Sequence, residues 1–225
     1  GMHTAHNTAY EHMETELNVC IDSDDYMTDD AVEIIVENWK KYGSDDYAGI
    51  IALDITADKQ VIGTELPADK KDISLSAFYR NGGKGDKKLI YRTDVMKKYP
   101  PYPVFPGEKY VSLAYKYSLA DLEYTLLVVN KPVCVVEYRT DGSSHNMLRQ
   151  YYTNPRGFAF IRKFNMKLAP TFRGVYRNCI HYVSSSLLMH NRKFIRESPK
   201  KMHTVLAVIP GWLLSRYIKH KVAEK

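Results

Sequence analysis

Apolar and polar residues alternate along 17–21, where Leu17, Val19 and Ile21 are separated by Asn18 and Cys20. A period of two predicts a short strand. Just before it, Ala5, Ala9 and Met13 recur at every fourth position, which predicts a helix over 4–15. Just after it, Ala31, Ile34, Ile35 and Trp39 form an apolar stripe at helical spacing, with Thr28 suited to cap the start and Gly43 to end it. Residues 48–53 form an unbroken apolar run and predict a second, buried strand. The polar, glycine-bearing stretch up to about Lys88 predicts loops with a helix or two.

Leu89-Ile90-Tyr91 reads as another short strand, and Thr93 as the cap of a short helix that ends before Pro100. Pro100, Pro101, Pro103 and Pro106 make a stiff loop, after which Gly107-Glu108 is expected to open a helix running to about Leu119. Residues 124–129 and 133–138 read as two strands around an Asn130-Lys131-Pro132 turn. From Ser143 onward the spacing is mainly helical, with breaks at Pro155, Pro170, Pro199 and Pro210. Strands alternate with helices first and helices dominate later. The expected fold class is therefore α/β: a sheet domain over 2–140 and a helical C-terminal extension over 141–225.

Charge sharpens this picture. The 225 residues carry a formal net charge of +6, which favours anionic partners. The charge is polarised: 11–30 is rich in Asp and Glu, and 192–225 in Lys and Arg. No helix-turn-helix, RRM, KH or zinc-finger pattern is present, and the acidic N-terminal pole argues against nucleic acid as the partner. Cys20, Cys134 and Cys179 are far apart among apolar neighbours, and read as buried thiols of a reducing compartment. No leader and no apolar run of spanning length is visible, so a cytoplasmic protein is expected. The apolar segment 205–214, followed by Arg216, Lys219, His220 and Lys221, suits either a helix packed on the core or a peripheral contact with the anionic inner face of the cell membrane.

Candidate chemistry concentrates at Asp22-Ser23-Asp24, where an apolar strand delivers two carboxylates to a turn. Open α/β sheets place ligands at the C-terminal ends of their strands. Two carboxylates suit a hard divalent ion, Mn²⁺ or Mg²⁺, that leaves positions free for phosphate oxygens. The competing reading is a solvated acidic turn beside the following helix. Lys87 and Arg92 are candidate phosphate holders or surface charges. His145, in Asp141-Gly142-Ser143-Ser144-His145, is a candidate contact to a diphosphate or acceptor, or part of a helix-capping turn.

Ala5-His6-Asn7, followed by the strand Leu17–Ile21 and Asp22-Ser23-Asp24-Asp25-Tyr26, resembles the middle of family-two glycosyltransferases of the GT-A fold. In that family a helix with an A-R-N element precedes a strand ending in D-x-D; here His6 stands where arginine is common. The resemblance implies that Asp24 is the direct metal ligand. It gives Asp22 the ribose, or the metal through water, makes Asn7 a donor-binding residue and leaves Asp25 structural. Phe105-Pro106-Gly107-Glu108-Lys109-Tyr110 is similar to the family's downstream acidic pair, with lysine in place of the second acid. Glu108 is then the catalytic base.

The implied fold is an incomplete GT-A, Rossmann-like sheet. The nucleobase-binding strand–helix–strand unit, about 80–90 residues, would lie before Gly1. The implied activity is inverting, metal-dependent transfer of a sugar from a nucleotide-sugar, expected to be uridine-linked, to a glycan or lipid-linked acceptor of the bacterial cell envelope. The alternative is a catalytically inactive relic that binds or scaffolds. Without the preceding unit the strand 17–21 would form an open edge, so a homo-oligomer is expected.

Overall fold

The structure is a computed structural model that describes residues 1–137 and 146–224. The fold is mixed α/β, with a six-stranded sheet and a helical C-terminal region. The chain divides into two compact units. One comprises Thr8–Pro100 and Lys116–Arg139, and the other Gly1–Asn7, Pro101–Tyr115 and Thr140–Lys225. The helical unit thus takes in the first residues and the proline-rich loop as well as the C-terminal helices.

The sheet unit holds strands β1 (Leu17–Val19), β2 (Tyr26–Met27), β3 (Tyr47–Ile55), β4 (Asp72–Ile73), β5 (Lys87–Arg92) and β6 (Thr125–Val135). Their order is β1-β5-β3-β6-β2, with β4 also against β6. Among the described residues only β3 and β6 run parallel. β1 forms one edge, paired to β5 with Asn18 opposite Tyr91. Helix α2 (Ala31–Tyr42) covers one face: its Ala31, Ile34 and Ile35 pack on Ile50, Ala52, Ile90, Leu127, Val129 and Val133. β3 is buried on both faces, as its unbroken apolar run predicts. On the other face Tyr91 stacks on Tyr117 at 5.1 Å. The buried Lys116 ammonium donates to the Met96 carbonyl at 2.9 Å.

The expected hairpin at Asn130-Lys131-Pro132 is instead a bulge within the single strand β6. Both halves run parallel to β3, and the register jumps from Ala52↔Val129 to Leu53↔Pro132. A two-residue interruption can be absorbed without reversing the chain, and a bulge accommodates a proline that cannot donate to the ladder. Helix α1 spans Met2–His12, and its buried residues are His3 and Tyr10; Ala5 is exposed. Alanine every fourth position gave the right element but the wrong face, because the larger side chains go inward. Cys20 is exposed as well, since β1 ends at Val19, whereas Cys134 and Cys179 are buried.

In the helical unit α7 (Pro155–Leu168) and α8 (Phe172–Leu188) pack together around Ala159, Met166, Val175, Cys179, Tyr182 and Val183. The expected break at Pro155 is present, between the helix Met147–Thr153 and α7, whereas Pro210 breaks no helix. Pro155 opens α7, and Pro210 lies in the first turn of α11 (Val208–Ala223), where a missing N–H leaves no bond unmade. Helix α10 (Lys201–Leu206) precedes α11.

Candidate functional site

The sheet unit carries the acidic turn. After β1 the chain reverses over Asp22–Asp25, closed by the Asp25 N–H donating to the Asp22 carbonyl at 3.0 Å. Asp22 and Asp24 are exposed, and no hydrogen bond or ion pair engages either side chain among the described residues.

Asp25 is held differently. Its carboxylate accepts from the Glu137 N–H at 3.3 Å and lies 3.8 Å from the Lys88 ammonium, which is also 3.8 Å from Asp54. Strand geometry creates this cluster. Lys88 of β5 is opposite Ala52 of β3, and Asp54 lies two residues further on the same face. All three side chains are at least nine-tenths buried. Burial raises Asp54 from its ordinary 3.8 to about 6, against the opposing pull of Lys88. Burial also raises Asp25. For Lys88, burial pulls downward, but Asp54, Cys134 and Asp25 outweigh it and the ammonium sits above its usual value. One buried cation between two buried carboxylates ties the acidic turn to the end of the hydrophobic core. Sequence reasoning missed Asp54 and Lys88. Both lie just outside the strands read from sequence, Asp54 after 48–53 and Lys88 before Leu89, and the observed strands extend to include them.

The helical unit carries Glu108 and Asn7. Pro106 and Gly107 form the centre of a turn closed by the Glu108 N–H donating to the Phe105 carbonyl at 3.0 Å, with Gly107 at φ +82°. The helix expected to start here starts only at Ala114, because residues 105–113 follow an irregular path to α5 (Ala114–Ala120). Glu108 caps a different helix. Its two carboxylate oxygens accept from the N–H groups of Arg156 at 2.9 Å and Gly157 at 2.8 Å, in the first turn of α7. The Lys109 N–H adds a bond to the Asn154 side chain at 2.7 Å. Gly157 is required by close approach, since a Cβ there would lie 2.1 Å from the Tyr110 carbonyl oxygen. Asn7 makes a two-point clamp on the Tyr102 backbone, donating to its carbonyl at 2.9 Å and accepting from its N–H at 2.8 Å.

The remaining candidates are accounted for. The Lys87 ammonium is turned inward and donates to the carbonyls of Ile62, Asp86 and Lys84 at 2.6, 3.0 and 3.2 Å. Arg92 pairs with Asp94 at 2.7 Å and Asp45 at 3.1 Å, in an open groove that also includes Trp39 and Lys97. That groove lies at the end of β1 and β5 away from Asp22. His145 lies outside the described residues.

Among the described residues no three His, Cys, Asp or Glu side chains converge as a protein-only metal cage would require. Two exposed carboxylates on one turn do fit a Mg²⁺ or Mn²⁺ ion that takes its other oxygens from a diphosphate and water. Comparison with known proteins gave no matching family model and no matching curated sequence. Among the described residues no helix is long and apolar enough to cross a membrane.

Proposed function

We propose that this chain is the metal-binding and acceptor-side part of a GT-A-type glycosyltransferase, acting at the cytoplasmic face of a bacterial cell envelope. The observation that supports the reading best is the contrast within one turn. Asp22 and Asp24 are exposed and have no side-chain partner among the described residues, while Asp25, next to them, is anchored by Glu137 and Lys88. A solvated turn with no ligand has no need of such an anchor; a turn that must hold carboxylates in fixed positions does. Asp24, with Asp22, holds Mn²⁺ or Mg²⁺ and thereby the diphosphate of a uridine-linked sugar. When bound, the ion neutralises charge on the departing diphosphate. Glu108 accepts the proton of a glycan or lipid-linked acceptor hydroxyl as it attacks the anomeric carbon with inversion. A carboxylate has about four acceptor sites, so the two bonds to α7 leave lone pairs for that proton.

The second reading, an inactive relic that binds or scaffolds, is favoured by those same two bonds, which give Glu108 a purely structural occupation. Calorimetry with UDP separates the readings from a null result. Binding that requires Mn²⁺ and is lost in Asp24→Ala is expected; equal binding with a chelator would sink the metal role. Turnover then distinguishes enzyme from relic. Glu108→Gln should cut it by roughly a hundredfold with little change in donor binding. The open edge of β1 supports a homo-oligomer. Light scattering should show a dimer at micromolar concentration, and a monomer would remove that expectation.

A further inference from the structure

Helices α10 and α11 are built inside out. Their inward positions hold Thr204, Ala207, Gly211, Ser215 and Ile218, all buried. Their outward positions hold Met202, Leu206, Ile209, Trp212, Leu213 and Tyr217, all at least half exposed, with Met202 at 78% and Ile209 at 71%. The spacing of four, three, three or four, and four or five is one continuous helical stripe that crosses the junction at Ala207. The inner face is small because α11 lies hard against α8. A Cβ at Gly211 would meet the Val183 Cβ at 2.6 Å and the Ile180 carbonyl at 2.9 Å. Around Gly211 large side chains therefore have no room inside, and apart from the buried Ile218 the largest apolar residues of this segment lie on the outside. A helix facing water carries polar residues there.

Charge indicates what covers the stripe. Between 200 and 224 the chain has Lys200, Lys201, Arg216, Lys219 and Lys221 against a single acid, Glu224. That acid is already paired to Lys221 at 2.8 Å and lies 3.4 Å from His220. A second copy of the same face would bring like charges together with no acid left to answer them. A spanning arrangement is also ruled out by length: the 16 residues of α11 extend about 24 Å, short of the roughly 30 Å hydrocarbon core. Its inner face is moreover engaged with α8.

We propose that the outer face of α10 and α11 docks in the plane of an anionic lipid bilayer. Ile209, Trp212 and Leu213 enter the acyl boundary, and Lys201, Arg216, Lys219 and Lys221 lie among the headgroups. This geometry combines the two signals that peripheral attachment needs, a buried apolar stripe and a basic rim. It does not depend on the glycosyltransferase reading.

The test is flotation of the whole chain with phosphatidylcholine vesicles, with and without phosphatidylglycerol. Trp212 emission is followed in a Trp39→Phe background, which leaves one tryptophan. Binding to the anionic vesicles with a blue shift of Trp212, weakened by salt, is expected. Ile209→Glu with Leu213→Glu should reduce partitioning at least tenfold while leaving the melting temperature unchanged, since both side chains are exposed. Lys219→Glu with Lys221→Glu should do the same without altering emission of any residual bound fraction. No binding at low salt would overturn the proposal, as would binding indifferent to Ile209→Glu and Leu213→Glu. A dimer that those two substitutions dissolve, in a protein that ignores lipid, would assign the stripe to a second copy instead.

Discussion

Asp24 and Glu108 look alike in sequence, each an acid in a short polar turn, yet the fold treats them in opposite ways. Asp24 stands in the open on a turn whose neighbour Asp25 is anchored from within the sheet. Glu108 is half-buried, and both its oxygens receive N–H groups from the start of α7. The difference lies in what surrounds each carboxylate. Four orphan N–H groups at a helix start attract any acid within reach, whereas the end of a strand offers none. An acid beside a helix start is thus predisposed to structure, and an acid past a strand end to ligands.

Removing Glu108 tests the first half of that contrast and should have the largest effect. Glu108→Ala leaves two helix-start donors without their charged acceptor, and charge-assisted bonds contribute roughly 1.5–3 kcal/mol each before water substitutes. A loss of about 3 kcal/mol is expected for the helical unit, read by urea denaturation through Trp212 with Trp39 replaced. Glu108→Gln should recover less than half of it, because the amide presents an NH₂ to one of the donors. A loss below about 0.5 kcal/mol would mean that the cap is incidental and that Glu108 is free for catalysis alone.

The anchor of the acidic turn gives the next effect, and it depends on pH. Asp54 titrates near 6 in the folded protein, against 3.8 ordinarily, because burial disfavours its charge. The folded state therefore binds a proton more tightly than the unfolded one. The associated stability is fully present below about pH 4 and is lost as pH rises to about 6. The full difference corresponds to up to about 3 kcal/mol. Asp54→Asn should flatten this part of the stability profile of the sheet unit, followed through Trp39. A wild-type profile that rises across pH 4–6 would reverse the assignment and put Lys88 in control.

Asn7→Ala should cost less, about 1–2 kcal/mol, by removing two hydrogen bonds to the backbone of the buried Tyr102. Asn7→Asp separates structure from donor binding. It keeps the acceptor for the Tyr102 N–H but loses the donor to its carbonyl, so a thermal shift midway between wild type and Asn7→Ala is expected. Wild-type stability in both variants would break the clamp reading.

Periodicity carried most of the fold. The apolar run of β3 and the stripe of α2 emerge where hydrophobic spacing placed them, and β1 is found at Leu17–Val19, two residues shorter than the alternation over 17–21 predicts. It failed where the competing principle was tertiary. Pro132 suggested a turn, but β3 holds β6 straight on both sides of it. Gly107-Glu108 suggested a helix start, and Glu108 does satisfy one, though it belongs to α7, nearly fifty residues along the chain. For the site, D-S-D-D could be read as a local pattern. Lys88 and Asp54 could not, because only strand register brings residues 25, 54 and 88 together.

The smallest stability change bears most on function. Asp24→Ala removes an exposed side chain with no partner among the described residues, and the turn keeps its Asp25-to-Asp22 backbone bond. Substitutions of that kind usually stay within about 0.5 kcal/mol. The unliganded melting temperature should therefore hardly move. With Mn²⁺ and UDP in excess, the wild type should gain stability by mass action, about 2.7 kcal/mol at a hundred times the dissociation constant. Asp24→Ala should gain almost nothing, and Asp22→Ala an intermediate amount, since the proposed reading gives Asp22 only a contact to ribose or one through water. Asp25→Ala is the counter-test. It loses bonds to Glu137 and Lys88 and should lower stability before any ligand is added. If Asp25→Ala proved neutral and Asp24→Ala destabilising, the free and anchored roles within the turn would be exchanged, and the support for a metal site at Asp22 and Asp24 would go with them.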